Sequence, residues 1–212
     1  MLIEIFADPI CPWCYVGTHR LSRALERRPR RAISQRWLPF QLNPDMPSGG
    51  MERSLYLMVK FGGAERARQF HEVIEQAAAQ DGLPLHLDRI RRTPSTFDAH
   101  RLVRFAGHDG RATDLMRALF RAYFVEGLDI GDREVLMALA AGVGLDPDAA
   151  RRLLEGDAEA SAIRSSDGQA RQLGVQAVPC FIFNRRFALS GAQEPEAFLP
   201  LLDIAETEAA VA

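Results

Sequence analysis

Asp8-Pro9-Ile10-Cys11-Pro12-Trp13-Cys14-Tyr15 joins two stretches of different periodicity. Before it, Leu2 to Asp8 is an apolar-rich run that ends at Pro9 and reads as a short buried strand. After it, small and apolar residues recur at Gly17, Leu21, Ala24 and Leu25, the spacing of one helix face. The two cysteines therefore fall where a strand turns into a helix. Pro12 suits that place, because the first helical turn needs no donor from its missing N–H.

The position carries chemistry. Unpaired backbone N–H groups and the positive end of the helix dipole favour an anion. A thiolate is such an anion, and it is the form that attacks disulfides. Cys11 is expected at an exposed tip. Cys14 begins the row Cys14, Gly17, Leu21, Leu25 that faces the core. Residues three apart on a helical turn lie about 5–6 Å apart, which suits a disulfide. The residues thus predict an exposed nucleophile, Cys11, and a sheltered resolving partner, Cys14.

Outward from this point, Leu2 to Ala7 is the first strand, Trp13 to Arg28 the first helix, and Ile33 to Leu42 a second strand rich in β-formers. A strand, helix and strand of these lengths predict parallel strands joined by a right-handed crossover. Asn43 to Gly50 is a loop by its turn chemistry. From Met51 to about Leu173 nearly everything reads as helix, with stripes at Phe70, Val73, Ile74 and Ala77, at Met116, Leu119, Phe120 and Tyr123, and at Val135, Leu136, Leu139 and Val143. Asp132 and Asp146 are predicted N-caps, and Pro147 a first helical residue. At Val175 the pattern reverts, and Val178 to Phe183 reads as a strand with a proline near its start. Asn184-Arg185-Arg186 reads as a hairpin turn, Phe187 to Leu189 as the returning strand, and a last helix starts near Pro195 with Phe198, Leu202 and Ala205 inward. The tail, Glu206 to Ala212, is expected to fray. The two ends, β-α-β and β-β-α, thus predict an α/β thioredoxin-like fold. Residues 1–43 and 174–212 form its sheet domain, 44–173 an all-helical insertion, and a cleft opens between them at Cys11.

Composition narrows the function. The chain has 212 residues, 47% hydrophobic and 25% charged, as in an ordinary globular protein. A net charge of −2 gives no reason to expect nucleic acid or an anionic membrane as partner. The basic run Arg27-Arg28-Pro29-Arg30-Arg31 reads as a solvated helix end and turn. No stretch reaches the roughly 20 apolar residues of a membrane span. Met1 runs into the first strand with no room for a signal peptide. Three cysteines do not make a disulfide-stapled secreted scaffold. The expected compartment is the reducing cytoplasm, where a Cys-x-x-Cys is redox-active or metal-binding rather than structural. Zinc would need four ligands and no second Cys-x-x-Cys exists, so no metal is expected.

Cys-Pro-Trp-Cys on the first helix, a late Val178-Pro179 before a strand, and a helical insertion resemble the DsbA family of thiol-disulfide oxidoreductases, and more closely its FrnE-like branch. The matching stretches are Asp8 to Gly17, Pro39 to Pro44, Thr96 to Leu102, Phe124 to Gly144 and Leu173 to Gln193. The resemblance implies a cis peptide bond before Pro179, packed against the redox pair, with Cys11, Cys14 and Pro179 as catalytic residues. Pro12, Trp13, Val178 and His100 are then the candidate substrate-binding residues. It also implies cysteine-containing protein clients and no bound cofactor beyond the Cys11–Cys14 disulfide, with glutathione as a candidate reductant. Monomer and homodimer both remain open. Three features depart from the branch: Ser95 stands where asparagine is common, Ala177 where glycine is common, and Cys180 is an extra thiol that reads as a buried strand residue. His100 also has a plain reading, as a packed helix histidine, and His19 as a surface helix residue.

Two other functions compete. The 2-hydroxychromene-2-carboxylate isomerases and kappa-class glutathione transferases resemble this layout but typically carry serine where Cys11 stands. A binding or holdase module, in which the cysteines are incidental, is the non-catalytic alternative.

Overall fold

The computed structural model describes residues 1–29 and 32–209. In chain order it begins with β1 (Leu2–Ala7), α1 (Pro12–Glu26) and β2 (Ser34–Pro39). The long middle section holds β3 (Met51–Glu52), α2 (Arg53–Phe61), α3 (Ala64–Gln80), β4 (Arg92–Thr93), α4 (Phe97–His108) and α5 (Ala112–Arg121), then α6 (Arg133–Gly142), α7 (Pro147–Glu155) and α8 (Ala160–Gln172). The chain closes with β5 (Cys180–Phe183), β6 (Phe187–Ser190) and α9 (Pro195–Ala209). The two ends build one four-stranded sheet in the order β2-β1-β5-β6. β1 runs parallel to β2, with Ile5 opposite Trp37, and antiparallel to β5, with Ile5 opposite Phe181. This is the thioredoxin-like arrangement read from the sequence.

Alternation along the strands places Ile3, Ile5, Trp37, Phe181 and Phe183 on one face, and all are buried. Phe198 of α9 meets Phe181 edge-on at 5.0 Å, and Leu202 and Ala205 are buried beside it, as their spacing predicts. The β5–β6 turn places Asn184 and Arg185 at φ of 46° and 58°, the left-handed region that asparagine tolerates. Asn184 also holds the sheet to α9. Its Oδ1 accepts from Leu2 N at 2.9 Å, and its Nδ2 donates to Ala205 O at 2.8 Å.

The strands are shorter than predicted. β2 spans Ser34–Pro39 rather than Ile33 to Leu42, and β5 starts at Cys180 rather than Val178. Pro39 and Pro179 have no N–H to give a ladder, and the pairing stops at each. The middle section is helical apart from β3 paired with β4, a single 3-10 turn at Leu87–Arg89 and a widened π-type turn at Ala122–Glu126. Asp132 and Asp146 cap α6 and α7 as predicted, accepting from Glu134 N and Ala149 N. The α3 stripe is a correction. Ala67, Ile74 and Ala78 are buried, whereas Val73 is 55% exposed. α3 meets α1 along a narrow seam, where Ala78 packs with Val16 and Leu83, too narrow to cover a stripe through Val73.

Of the basic run, Arg27 and Arg28 pair with Glu196 and Asp203 on α9 at 2.6 and 3.1 Å. Arg30 and Arg31 lie outside the described residues. α9 continues through Ala209, past the start of the predicted fraying tail, and residues 210–212 lie outside the description. Among the described residues no helix is long and apolar enough to cross a membrane.

Candidate active site

The site grows from the end of β1. Asp8 follows the last strand residue, and its carboxylate ties the turn together. Oδ1 accepts from Ile10 N at 3.2 Å, and Oδ2 accepts from Leu42 N at 2.7 Å, just beyond β2. The Asp8 carbonyl accepts from Cys11 N at 2.9 Å. Cys11 is the N-cap of α1, with extended backbone, and Pro12 occupies the first helical position as predicted. The Cys11 Sγ accepts from Cys14 N at 3.4 Å, and its thiol donates to Val178 O at 3.7 Å. The Cys14 N–H at the helix start is thus shared between the Cys11 sulfur and the Cys11 carbonyl, the latter at 3.0 Å. All three cysteines are free thiols.

Cys14 is fully buried, and Cys11 is only 4% exposed. The expected exposed tip is thus corrected. The strand–helix turn does stand at the sheet's end, but Val178 and Pro179 arrive from the far end of the sequence and cover it. The Val178–Pro179 peptide bond is cis, as the resemblance implies. α1 presses directly on this loop, for a Cβ built on Gly17 would lie 2.7 Å from Pro179 Cγ and 3.2 Å from Ala192 Cα. Arg20, one turn further and 5% exposed, locks the contact by binding Ala192 O at 2.8 Å and Asp81 Oδ2 at 2.5 Å. An ordinary helical glycine gains about 0.5–1 kcal/mol when changed to alanine. Here Gly17→Ala should instead destabilise by about 1–3 kcal/mol through overpacking. Urea denaturation reads the sign, and a variant as stable as the parent would contradict this contact.

Burial sets the electrostatics. It pushes the Cys14 thiol well above its ordinary range, and the neighbouring Cys11 pushes it further, so Cys14 stays protonated. The Asp8 charge acts on Cys14 in the same direction, although the Asp8 backbone works against it. Burial also raises the Asp8 carboxyl to about 7, against the opposing pull of the Leu42 and Ile10 N–H groups. His100 is 3% exposed and does not reach an open surface. Its Nε2 lies 3.9 Å from Asp8 Oδ1 and has no hydrogen-bond partner, and burial lowers its pKa to about 4. His100 thus stands behind the turn as a neutral packed histidine. Pro12 and Trp13 are half-buried, and Trp13 packs on Val16, Ala78 and Leu83. Cys180 is 7% exposed, lies opposite Phe6 in the sheet, and has its thiol pKa raised by burial.

Sequence reasoning missed two neighbours. Asp8 had one available signal, a carboxylate closing an apolar strand run immediately before Pro9. Tyr56 on α2 had none. It is half-buried, and its hydroxyl pairs with Asn43 at 3.3 Å. Its pKa is raised chiefly by burial, with the charges of Asp8 and Cys11 acting in the same direction. Among the described residues no group of three His, Cys, Asp or Glu side chains is placed to hold a metal ion.

The DSBA-like thioredoxin domain matches residues 2–203. A probable DsbA oxidoreductase from Streptomyces coelicolor superimposes with a TM-score of 0.88 at 35% identity, covering 98% of this chain and 91% of that one. The cytosolic disulfide reductase DsbM from Pseudomonas aeruginosa, solved with GSH, has a TM-score of 0.67 at 22% identity, covering 100% of this chain and 98% of its own; at that identity the likeness is one of fold. YwbO of Bacillus subtilis is 26% identical over 184 residues, 85% of each chain.

Proposed function

The chain belongs to the DSBA-like thioredoxin domain family, and from that premise we propose that it exchanges disulfides with cysteine-containing protein clients through Cys11 and Cys14. One observation carries the reading. Cys11 Sγ caps α1 and touches the Val178 carbonyl beside Pro179, while Cys14 is buried directly behind it and held protonated. Both thiols are covered, but Cys11 lies at the helix start under Val178, and Cys14 lies behind it with only Cys11 to meet; Cys11 is therefore read as the thiol that meets a client once Val178 moves aside.

In the reductive direction, the Cys11 thiolate attacks one sulfur of a client disulfide. A Cys11–client bond forms and the client's other sulfur leaves as thiolate. Cys14 then gives up its proton and attacks Cys11 Sγ, closing the Cys11–Cys14 disulfide and releasing the second client thiolate. The client gains two electrons and the protein loses two. Two molecules of glutathione return them, leaving as glutathione disulfide. The difficult step is the deprotonation of Cys14, since its site disfavours charge. Asp8 is the buried base whose pKa, about 7, suits that task near neutrality. Pro12, Trp13 and Val178 frame the client's approach. In a cytoplasmic setting, reduction or isomerisation is favoured over net oxidation.

The test is a redox titration in glutathione buffers, with the oxidised fraction quantified by alkylation and mass spectrometry. A single reversible two-electron transition confined to Cys11 and Cys14 is expected. Titration of the two cysteines as unrelated thiols would end the proposal.

A further inference from the structure

A concavity with a volume of about 380 Å³ lies along α1. That is within the size range of small-molecule sites, about 300–1,000 Å³. Neither Cys11, Cys14 nor Pro179 lines it. Its floor is a fixed apolar surface formed by Leu21, Trp37 and Phe120, all buried. The Trp37 and Phe120 rings cross at 63° with centroids 6.5 Å apart. The indole is pinned by its Nε1, which donates to Thr113 Oγ1 at 2.9 Å. A rigid floor of ring faces and edges suits a flat aromatic body.

The polar groups converge from two helices. Arg117 of α5 reaches Ser22 Oγ of α1 with one nitrogen at 3.3 Å, a long contact for a guanidinium that carries five N–H donors in a fork. The Nε2 of His19 is buried and has no hydrogen-bond partner, an unusual cost in a folded protein. Both residues line the same cavity. A carboxylate matches the Arg117 fork, and a polar atom of the same occupant would partner His19. Glu26 also lines the cavity and disfavours a second negative charge.

We propose that this cavity binds a small aromatic monocarboxylic acid, with its carboxylate on Arg117, its polar edge toward His19 and its ring over Trp37 and Phe120. The site is independent of the thiol chemistry and stands or falls apart from it.

The probe is trans-cinnamate, titrated into the full chain and followed by the indole N–H signals in a proton–nitrogen correlation spectrum. The chain has two tryptophans, so two indole signals are expected, and Trp13→Phe assigns them. Cinnamate should move the Trp37 signal saturably and leave Trp13 in place. Cinnamamide, with the same ring and no charge, should bind about tenfold more weakly to the unaltered chain, and Arg117→Gln should weaken cinnamate by a similar factor. An unmoved Trp37 signal overturns the proposal. So does equal binding of acid and amide, or undiminished cinnamate binding by the Arg117→Gln chain.

Discussion

Replacing Cys11 by serine should lower disulfide exchange by more than about a thousandfold, to the rate set by free thiols in solution. A serine hydroxyl in the same N-cap position still accepts the Cys14 N–H, so the fold keeps its local partner. It does not ionise near neutrality and forms no sulfur–sulfur bond, so the first step is lost outright. Cys14→Ser should behave differently. It leaves the attack intact and removes the resolving thiol, so a covalent Cys11–client species should accumulate and be visible by intact mass. Cys180→Ser should leave the rate unchanged, because that thiol lies in the β5 ladder opposite Phe6 and not at the N-terminus of α1, where the redox pair stands. A fluorescence-quenched peptide disulfide reads all three variants. Retained exchange in the Cys11→Ser chain would remove Cys11 from the chemistry. Retained glutathione binding with no exchange in either chain would favour the glutathione-dependent isomerase or transferase reading.

The strand–turn–helix at Asp8 to Tyr15 was legible because each device in it is local. Apolar run, proline break, proline at the first helical position and 3.6-residue spacing all lie within about 25 residues of one another. The caps at Asp132 and Asp146 were legible for the same reason. The opposite case is Cys11. Nothing within its own segment signals that Val178 and Pro179 will close over it, since that contact spans 167 residues. The β3–β4 pair, two residues on each side, is too short for any periodicity to register. His100 was ambiguous between a cleft residue and a packed one, because burial is a property of the assembled layers and not of a helical stripe. Asp8 was readable only as the end of a strand. Its importance comes from the two backbone N–H groups it accepts and from the dry surroundings that raise its pKa, and one of those donors, Leu42, lies beyond the crossover.

Asp8→Asn should make the protein more stable and slower, and the conjunction is what identifies Asp8 as a working base. An Asp8 carboxyl held at about 7, against 3.8 in the unfolded chain, makes the folded state bind more protons between those values. Stability therefore falls as pH rises through that window, by about 4 kcal/mol once the group is ionised above pH 7. Asparagine carries no charge and removes that slope. It supplies one carbonyl acceptor for two N–H donors, Leu42 and Ile10, at a cost of about 1–3 kcal/mol. The net gain at pH 8 is about 1–3 kcal/mol; at pH 5, where the unfolded carboxyl is ionised and the folded one is not, only about 1.7 kcal/mol of the slope has accrued and the gain falls to about zero. His100 contributes the opposite slope. Its pKa is about 4 in the fold against 6.5 unfolded, so its stability contribution is present above 6.5 and is lost as pH falls toward 4. In the parent chain the two slopes oppose each other between about 4 and 6.5; in Asp8→Asn only the His100 slope remains, and stability should rise with pH and then level. Urea denaturation at pH 5, 6 and 8 measures this. In exchange, the same variant has no base for Cys14, and the lifetime of the Cys11–client disulfide should lengthen about 100-fold. A merely structural Asp8 would change stability without lengthening that lifetime, since loss of its charge eases Cys14 ionisation, whereas loss of a base that Cys14 depends on must lengthen it.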